Sequence, residues 1–318
     1  MVKNISIVIP AYKEEGNIPF VYLALKKILS SISEKYDHEI IFVNDWSSDN
    51  TWEEILKIAK NDKKVKGISL SRNFWHQQAL TAWYMEASGD LIVSMDADMQ
   101  DPPILILKMV KEWEKWFETV YARRIQRHDK FLKKYSAIIY YKLLSKFSDT
   151  KIPRDVWDFR LIDKKVLNAF KKLKEKDRYI RGMFAWMWFK TSFVDFERPE
   201  RTIWDTSYTW SKMIKLAMDG ILNFSTIPLK LWAIIWFFLI ILSSIFFLYV
   251  SYDFFINGTD YPLYKWINIV LLWFMWLLFI FMWILWEYIW RIYNETRERP
   301  LYIISEKKNF TKKIWKKS

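Results

Sequence analysis

Two uncharged stretches near the carboxyl end constrain this chain more than any other feature. Residues 231–252 run 22 positions, and residues 266–286 another 21, without an Asp, Glu, Lys or Arg. At about 1.5 Å of rise per helical residue, either one crosses the roughly 30 Å hydrocarbon core of a bilayer. Soluble helices seldom place two such stretches back to back, so we read two transmembrane helices, about 231–252 and 266–286, within a membrane region 229–290. Lys and Arg are retained on the cytoplasmic side of a membrane, which orients the spans. From Glu287 onward there are nine Lys or Arg against four Asp or Glu, while the loop Asp253–Lys265 has one Lys. A basic tail, 291–318, and a large amino-terminal domain, 1–228, are therefore both expected on the cytoplasmic face of a cytoplasmic (inner) membrane. The opening residues MVKNISIVIP read as a strand and lack the charged start and long apolar run of a secretory signal. The chain has no cysteine, which fits a cytoplasmic domain without disulfides.

A formal charge of +13 suits nucleic acid, an anionic membrane surface or phosphorylated substrates. The spans favour membrane lipid and lipid phosphates. A nucleic-acid partner is not expected, since it would need basic and aromatic residues organised on one face. The basic amphipathic segments, 131–147 and 208–224, suit helices beside the spans, lying in the headgroup layer or packed on a sheet. In the first 122 residues short β-rich runs recur at Ile5–Ile9, Glu39–Val43, Lys66–Leu70, Leu91–Met95 and Thr119–Tyr121. Longer helix-like stretches separate them, the pattern of an α/β fold with parallel strands and crossover helices. Ligands bind such sheets beyond the carboxyl ends of the strands. Polar clusters follow three of the runs: Pro10–Glu15, Asn44–Asp49 and Asp96–Pro103.

The strongest chemical signal is Asp96-Ala97-Asp98 directly after an apolar run. Two carboxylates one residue apart at a strand end can hold Mg²⁺ or Mn²⁺, cations that take oxygen ligands and bridge to diphosphate oxygens. Taken alone, the pair could equally cap a helix that opens at Pro102-Pro103. Covalent catalysis by Cys or a His metal site finds no support, because Cys is absent and His38, His76 and His128 are scattered.

Ile9-Pro10-Ala11-Tyr12, Val43-Asn44-Asp45, Ser71-Arg72-Asn73-Phe74 and Met95 to Pro103 together resemble family 2 glycosyltransferases of the GT-A (Rossmann-like) fold. Ile152 to Val156, Asp158-Phe159-Arg160-Leu161, Arg291-Ile292-Tyr293 and Arg299 to Ile303 resemble the polyprenyl-phosphate branch, which includes bactoprenol glucosyltransferases and dolichyl-phosphate mannose synthases. The resemblance covers essentially the whole chain. It implies a mostly parallel sheet with flanking helices, and inverting transfer of a sugar, by default glucose, from a nucleotide-sugar, by default UDP-linked, to a polyprenyl (undecaprenyl) phosphate for cell-envelope glycan synthesis. Pro10, Tyr12, Glu14 and Asp45 would form the donor pocket, with Asp96 facing the donor. Asp98 and Gln100, with Asp96, would hold the metal. Arg124, Arg127 and Arg201 match arginines that would bind the acceptor phosphate, as guanidinium forks suit phosphate oxygens. Asp158 stands where the family places a carboxylate near the acceptor, as a general base or as an orienting group for Arg160 or the acceptor. A phosphate monoester is largely a dianion near neutral pH, so no strong base is demanded. A processive polysaccharide synthase would usually add a Gln-x-x-Arg-Trp segment and further spans, and neither is seen. An inactive membrane scaffold of the same fold would not need Asp96, Asp98 and Gln100. The chain could also form a homo-oligomer.

The chain has 20 tryptophans and only 6 glycines, together 26 of 318 residues or about 8%, close to an ordinary content of the two types pooled. Trp46, Trp75, Trp83, Trp157, Trp188, Trp204, Trp283, Trp286 and Trp290 stand where the family pattern has Gly. The sequence therefore suggests that the gene uses UGA for glycine and is read here with UGA as tryptophan. Trp113 and Trp186 are the expected genuine exceptions.

Overall fold

The computed structural model describes residues 2–74, 76–125, 153, 156–176, 178–197, scattered helical positions between 235 and 256, and 263–310. Its centre is four parallel strands, β1 (Lys3–Ala11), β2 (Tyr36–Asn44), β3 (Val65–Leu70) and β4 (Leu91–Ser94). β1 lies between β2 and β4, and β3 follows beyond β2. These strands are rich in Ile and Val because both faces of the sheet are covered, so alternation gives way to nearly continuous apolar runs.

One layer packs Ile5, Ile7, Ile9 and Phe42 against α1 (Ile18–Ser30), α2 (Thr51–Asn61) and α4 (Leu105–Glu114). The other packs Val8, Ile41, Ile68 and Ile92 against α3 (His76–Glu86), α5 (Lys164–Lys172) and α6 (Ile180–Trp186).

Three strands that the hydrophobic pattern does not announce complete the sheet: β6 (Val156–Asp163), β7 (Thr191–Phe196) and β8 (Ile304–Lys308). With β5 (Thr119–Arg124), the order is β7-β5-β6-β4-β1-β2-β3-β8. β6 runs antiparallel to both β4 and β5, and β8 antiparallel to β3. The sheet is mostly parallel, as expected, and mixed: six strands run one way, while β6 and β8 are reversed.

The residues of β8 belong to the sequence's basic tail, yet they are laced to the domain. Ser71 N–H donates to Ile303 O at 2.9 Å, and Trp52 Nε1 donates to Glu306 Oε2 at 3.1 Å. Asn309, at φ 61°, donates from Nδ2 to the carbonyls of Ala59 (2.6 Å) and Val65 (2.7 Å). Such cover blunts an edge that would otherwise offer unpaired backbone groups.

Between the domain and β8 runs α7 (Leu263–Thr296), 34 residues or about 51 Å long. Within Trp273–Thr296 an 18-residue stretch has mean hydropathy 1.5 and is not buried against the protein. Among the described residues this is the one helix long and apolar enough to cross a membrane. It extends ten residues past the expected end at 286. The expected first span, 231–252, is described only at scattered helical positions, and segments 131–147 and 208–224 lie outside the described residues.

Candidate functional site

The carboxyl ends of β1, β2 and β4 bring the predicted donor residues to one edge of the sheet. Asp45 is buried, its N–H donating to Ala11 O (3.0 Å) and its Oδ1 accepting from Phe74 N–H (2.8 Å). Asp45 therefore ties the ends of β1, β2 and β3 together, its backbone N–H reaching β1 and its carboxylate the chain after β3. The loop after β1 is held to the loop after β2 rung by rung. Lys13 N–H donates to Ser47 Oγ (3.0 Å), Glu14 N–H to Thr51 Oγ1 (2.9 Å) and Asn50 N–H to Glu15 Oε2 (2.9 Å). Tyr12 beside them is about half exposed, with the Lys13 ammonium 5.6 Å from its ring centre, and Pro10 is half-buried at the strand end.

After β4 the chain makes a tight loop closed by its own acids. Asp96 N–H donates to Asp101 Oδ2 (3.1 Å), Gln100 N–H donates to Asp98 Oδ1 (3.1 Å), and Met99 takes φ 58°. Asp96 and Asp98 remain half-buried, while Gln100 and Asp101 are buried. Glu14 reports the field in this pocket. Its carboxyl is pushed above the ordinary range chiefly by burial, with the like charges of Asp98, Asp96 and Asp49 adding to the rise, against a lowering hydrogen bond from Asn17. The two clusters predicted from distant parts of the sequence thus share one negative potential.

That potential bears on the metal. Among the described residues no group of three or more His, Cys, Asp or Glu side chains forms a metal cage. What the loop offers is two carboxylates and an amide oxygen, a hard-oxygen set incomplete by itself. Mg²⁺ is commonly held in this way, by one or two carboxylates with substrate phosphates completing the shell. The donor set and the excess negative charge felt at Glu14 fit such an ion.

Asp158 lies in a different setting. β6 faces β4 with Ser94 opposite Arg160, so Asp158 sits two residues beyond that pair, on the Asp96 side. It is buried, and its carboxylate accepts from Arg160 Nη2 and, at 3.1 Å, from Arg181 Nη2. The Ser94 hydroxyl donates to the Asp158 carbonyl. Arg160 is fully buried, its guanidinium 4.8 Å from the Phe184 ring centre and 5.4 Å from that of Tyr121. Burial raises both neighbouring phenols, Tyr84 to about 12. Arg181, on the first turn of α6, was not anticipated. Nothing local marks it, because its partner is 23 residues away in sequence.

Arg124 ends β5 half-buried, while the preceding Arg123 makes a two-pronged pair with Asp195 (2.6 and 2.9 Å). Arg127 and Arg201 lie outside the described residues. A cavity of about 900 Å³ opens at the opposite edge of the sheet, among Lys3, Tyr36, Trp113, Glu118, Asp163 and Lys190. None of the candidate residues lines it. The candidate acids lie instead at the carboxyl ends of β1, β2 and β4.

The "Glycosyl transferase family 2" profile matches residues 6–170. A Bacillus subtilis (strain 168) glycosyltransferase, YkcC, is 41% identical over 305 residues, covering 95% of this chain and 93% of that protein. An Escherichia coli (strain K12) protein named "Prophage bactoprenol glucosyl transferase homolog" is 35% identical, covering 96% and 99%. The bactoprenol glucosyl transferase of Shigella phage SfV is 34% identical, covering 96% and 99%. Among solved structures, glucosyl-3-phosphoglycerate synthase from Mycobacterium tuberculosis, in complex with Mn²⁺, uridine-diphosphate and phosphoglyceric acid, is similar over 69% of this chain and 76% of that one, at 14% identity and a TM-score of 0.46.

Proposed function

We propose that this chain, a glycosyltransferase that belongs to glycosyl transferase family 2, moves glucose from a UDP-linked donor to a polyprenyl phosphate at the cytoplasmic face of a membrane. The single observation that carries the site assignment is that the loop of Glu14 after β1 and the loop of Asp96 and Asp98 after β4 leave the same end of two paired parallel strands. Relatives named for bactoprenol glucosyl transfer, similar over nearly the full chain, support the acceptor and the sugar.

In this reading Pro10, Tyr12, Glu14 and Asp45 cradle the nucleotide, and carboxylates accept hydrogen bonds from its base N–H and ribose hydroxyls. Asp96, Asp98 and Gln100 would hold Mg²⁺ or Mn²⁺, whose chemistry is to neutralise the departing diphosphate. An oxygen of the acceptor phosphate forms the new bond to the anomeric carbon as the bond to the diphosphate breaks, with inversion. Arg124, Arg127 and Arg201 orient that phosphate, which is already largely dianionic. Asp158 then serves as a positioning residue for Arg160 and Arg181, since both guanidiniums already engage its carboxylate.

Parity supports the two-span topology in this reading. β8 pairs with β3, so residues 304–308 stand on the same side as the domain. One crossing by 273–296 then calls for a second between 197 and 263, and 231–252 is the stretch able to make it.

The test is to incubate membranes containing the chain with undecaprenyl phosphate, Mn²⁺ and a panel of nucleotide-sugars, and to identify the product by mass spectrometry. A single-hexose polyprenyl phosphate from UDP-glucose is expected. A growing polymer, or no lipid-linked product with any donor, would overturn the reading.

A further inference from the structure

Seven residues other than glycine adopt positive φ among those described, and three are tryptophans: Trp46 (58°), Trp116 (70°) and Trp188 (54°). Positive φ brings Cβ against the backbone, and for a bulky residue it is a true outlier. The glycines at 16, 67 and 89 stay outside that region. The usual division of labour is reversed.

Two of the three tryptophans sit at the same structural position. α4 ends at Glu114 with Lys115 as its C-cap, and Trp116 follows, its N–H donating to Trp113 O at 2.9 Å. α6 ends at Trp186 with Met187 as its C-cap, and Trp188 follows, its N–H donating to Ala185 O at 3.3 Å. A left-handed residue just past the cap, bonded three residues back, is how helices commonly stop, and glycine is the residue that does so without strain. Trp46 turns the chain directly after Asp45, where Ser47 N–H donates to Asn44 Oδ1 at 3.1 Å.

No packing compensates the strain. Trp116, Trp188 and Trp46 are 85%, 72% and 57% exposed. Other tryptophans of the chain are used as indoles. Trp113 donates from Nε1 to Asp163 at 2.9 Å under the Lys3 ammonium, and Trp52 donates to Glu306 while packing on the core.

We infer that positions 46, 116 and 188 are glycine in the protein made by its own cell, through UGA codons read by a glycine tRNA, whereas 52 and 113 are tryptophan. Position 116, which the motif pattern did not single out, is assigned by backbone geometry. At 46 the consequence reaches the proposed donor site, because the position directly follows Asp45.

The inference is independent of which sugar is transferred, and stability tests it. In the full-length chain in detergent, Trp116→Gly and Trp188→Gly should each raise Tm by about 2–4 °C. Alanine at the same sites keeps a Cβ and should fall short of glycine. Trp113→Gly and Trp52→Gly should lower Tm. A tryptophan form at least as stable as glycine at both 116 and 188 would overturn the idea. Peptide mass spectrometry of the protein from its native host gives a second reading that does not depend on folding. Glycine at 46, 116 and 188 with tryptophan at 52 and 113 is expected, and tryptophan at the first three would end the proposal.

Discussion

Arg181 closes on Asp158 with Nη2 3.1 Å from Oδ2, while the fully buried Arg160 takes the other carboxylate oxygen. A carboxylate held between two guanidiniums is a poor proton acceptor. Its removal would leave the Arg160 charge in the core without its counter-ion.

Asp158→Asn should therefore destabilise the domain by about 3–5 kcal/mol, the usual cost of breaking a buried pair from one side. Residual transfer should keep the acidic limb of its kcat/KM profile, at reduced amplitude. Loss of that limb with unchanged thermal stability would instead make Asp158 the general base.

Glu14 supplies a pH prediction. Its folded-state pKa is raised, so the folded chain holds that proton more tightly than the unfolded one. Stability is lost as pH climbs from the unfolded carboxylate value, about 4.3, through the raised value. Glu14→Gln removes this loss. In EDTA, the Tm advantage of the variant should be larger at pH 7 than at pH 4, and parallel curves would contradict it.

Asp98→Ala should cut transfer at least 100-fold, about 2.7 kcal/mol in the barrier, with membrane insertion intact. It should also lower the Glu14 pKa, because one of the charges raising it is gone. Activity within a few-fold of wild type at saturating Mn²⁺ would remove Asp98 from the metal set.

Asn309→Ala withdraws an amide that serves the carbonyls of Ala59 and Val65 from a residue far away in sequence. A loss of about 1–3 kcal/mol and faster proteolysis near Lys307 and Lys308 are expected. Unchanged protease resistance would mean that β8 is held without the Asn309 amide.

The strands β1 to β5 were legible because they are buried on both faces, so their apolar runs stand out against polar loops. β6 was not, since Asp158 and Arg160 interrupt it with charges that only their pairing with each other and with Arg181 makes tolerable inside. β8, Ile-Ser-Glu-Lys-Lys, carries no hydrophobic signal at all and becomes a strand because β3 offers a free edge. In the site, Asp96, Asp98 and Asp45 were visible from their places after strands. The rungs from Ser47, Thr51 and Asn50, and the clasp of Arg181, depend on distances that no local pattern encodes.

The direction of β8 sets the end of the sheet at which the chain from α7 arrives. Ile304, the first residue of β8, lies opposite Leu70, the last residue of β3, so the chain coming from α7 enters the sheet at the end where Asp45 stands. Seven residues, 297–303, make that journey from Thr296, and fully extended they span less than about 30 Å. In the proposed reading, the carboxyl edge is thus tethered within that reach of the end of α7. In that reading, an acceptor phosphate carried on a lipid would reach it by diffusing in the plane of the membrane, a search in two dimensions, without its isoprenoid tail leaving the hydrocarbon.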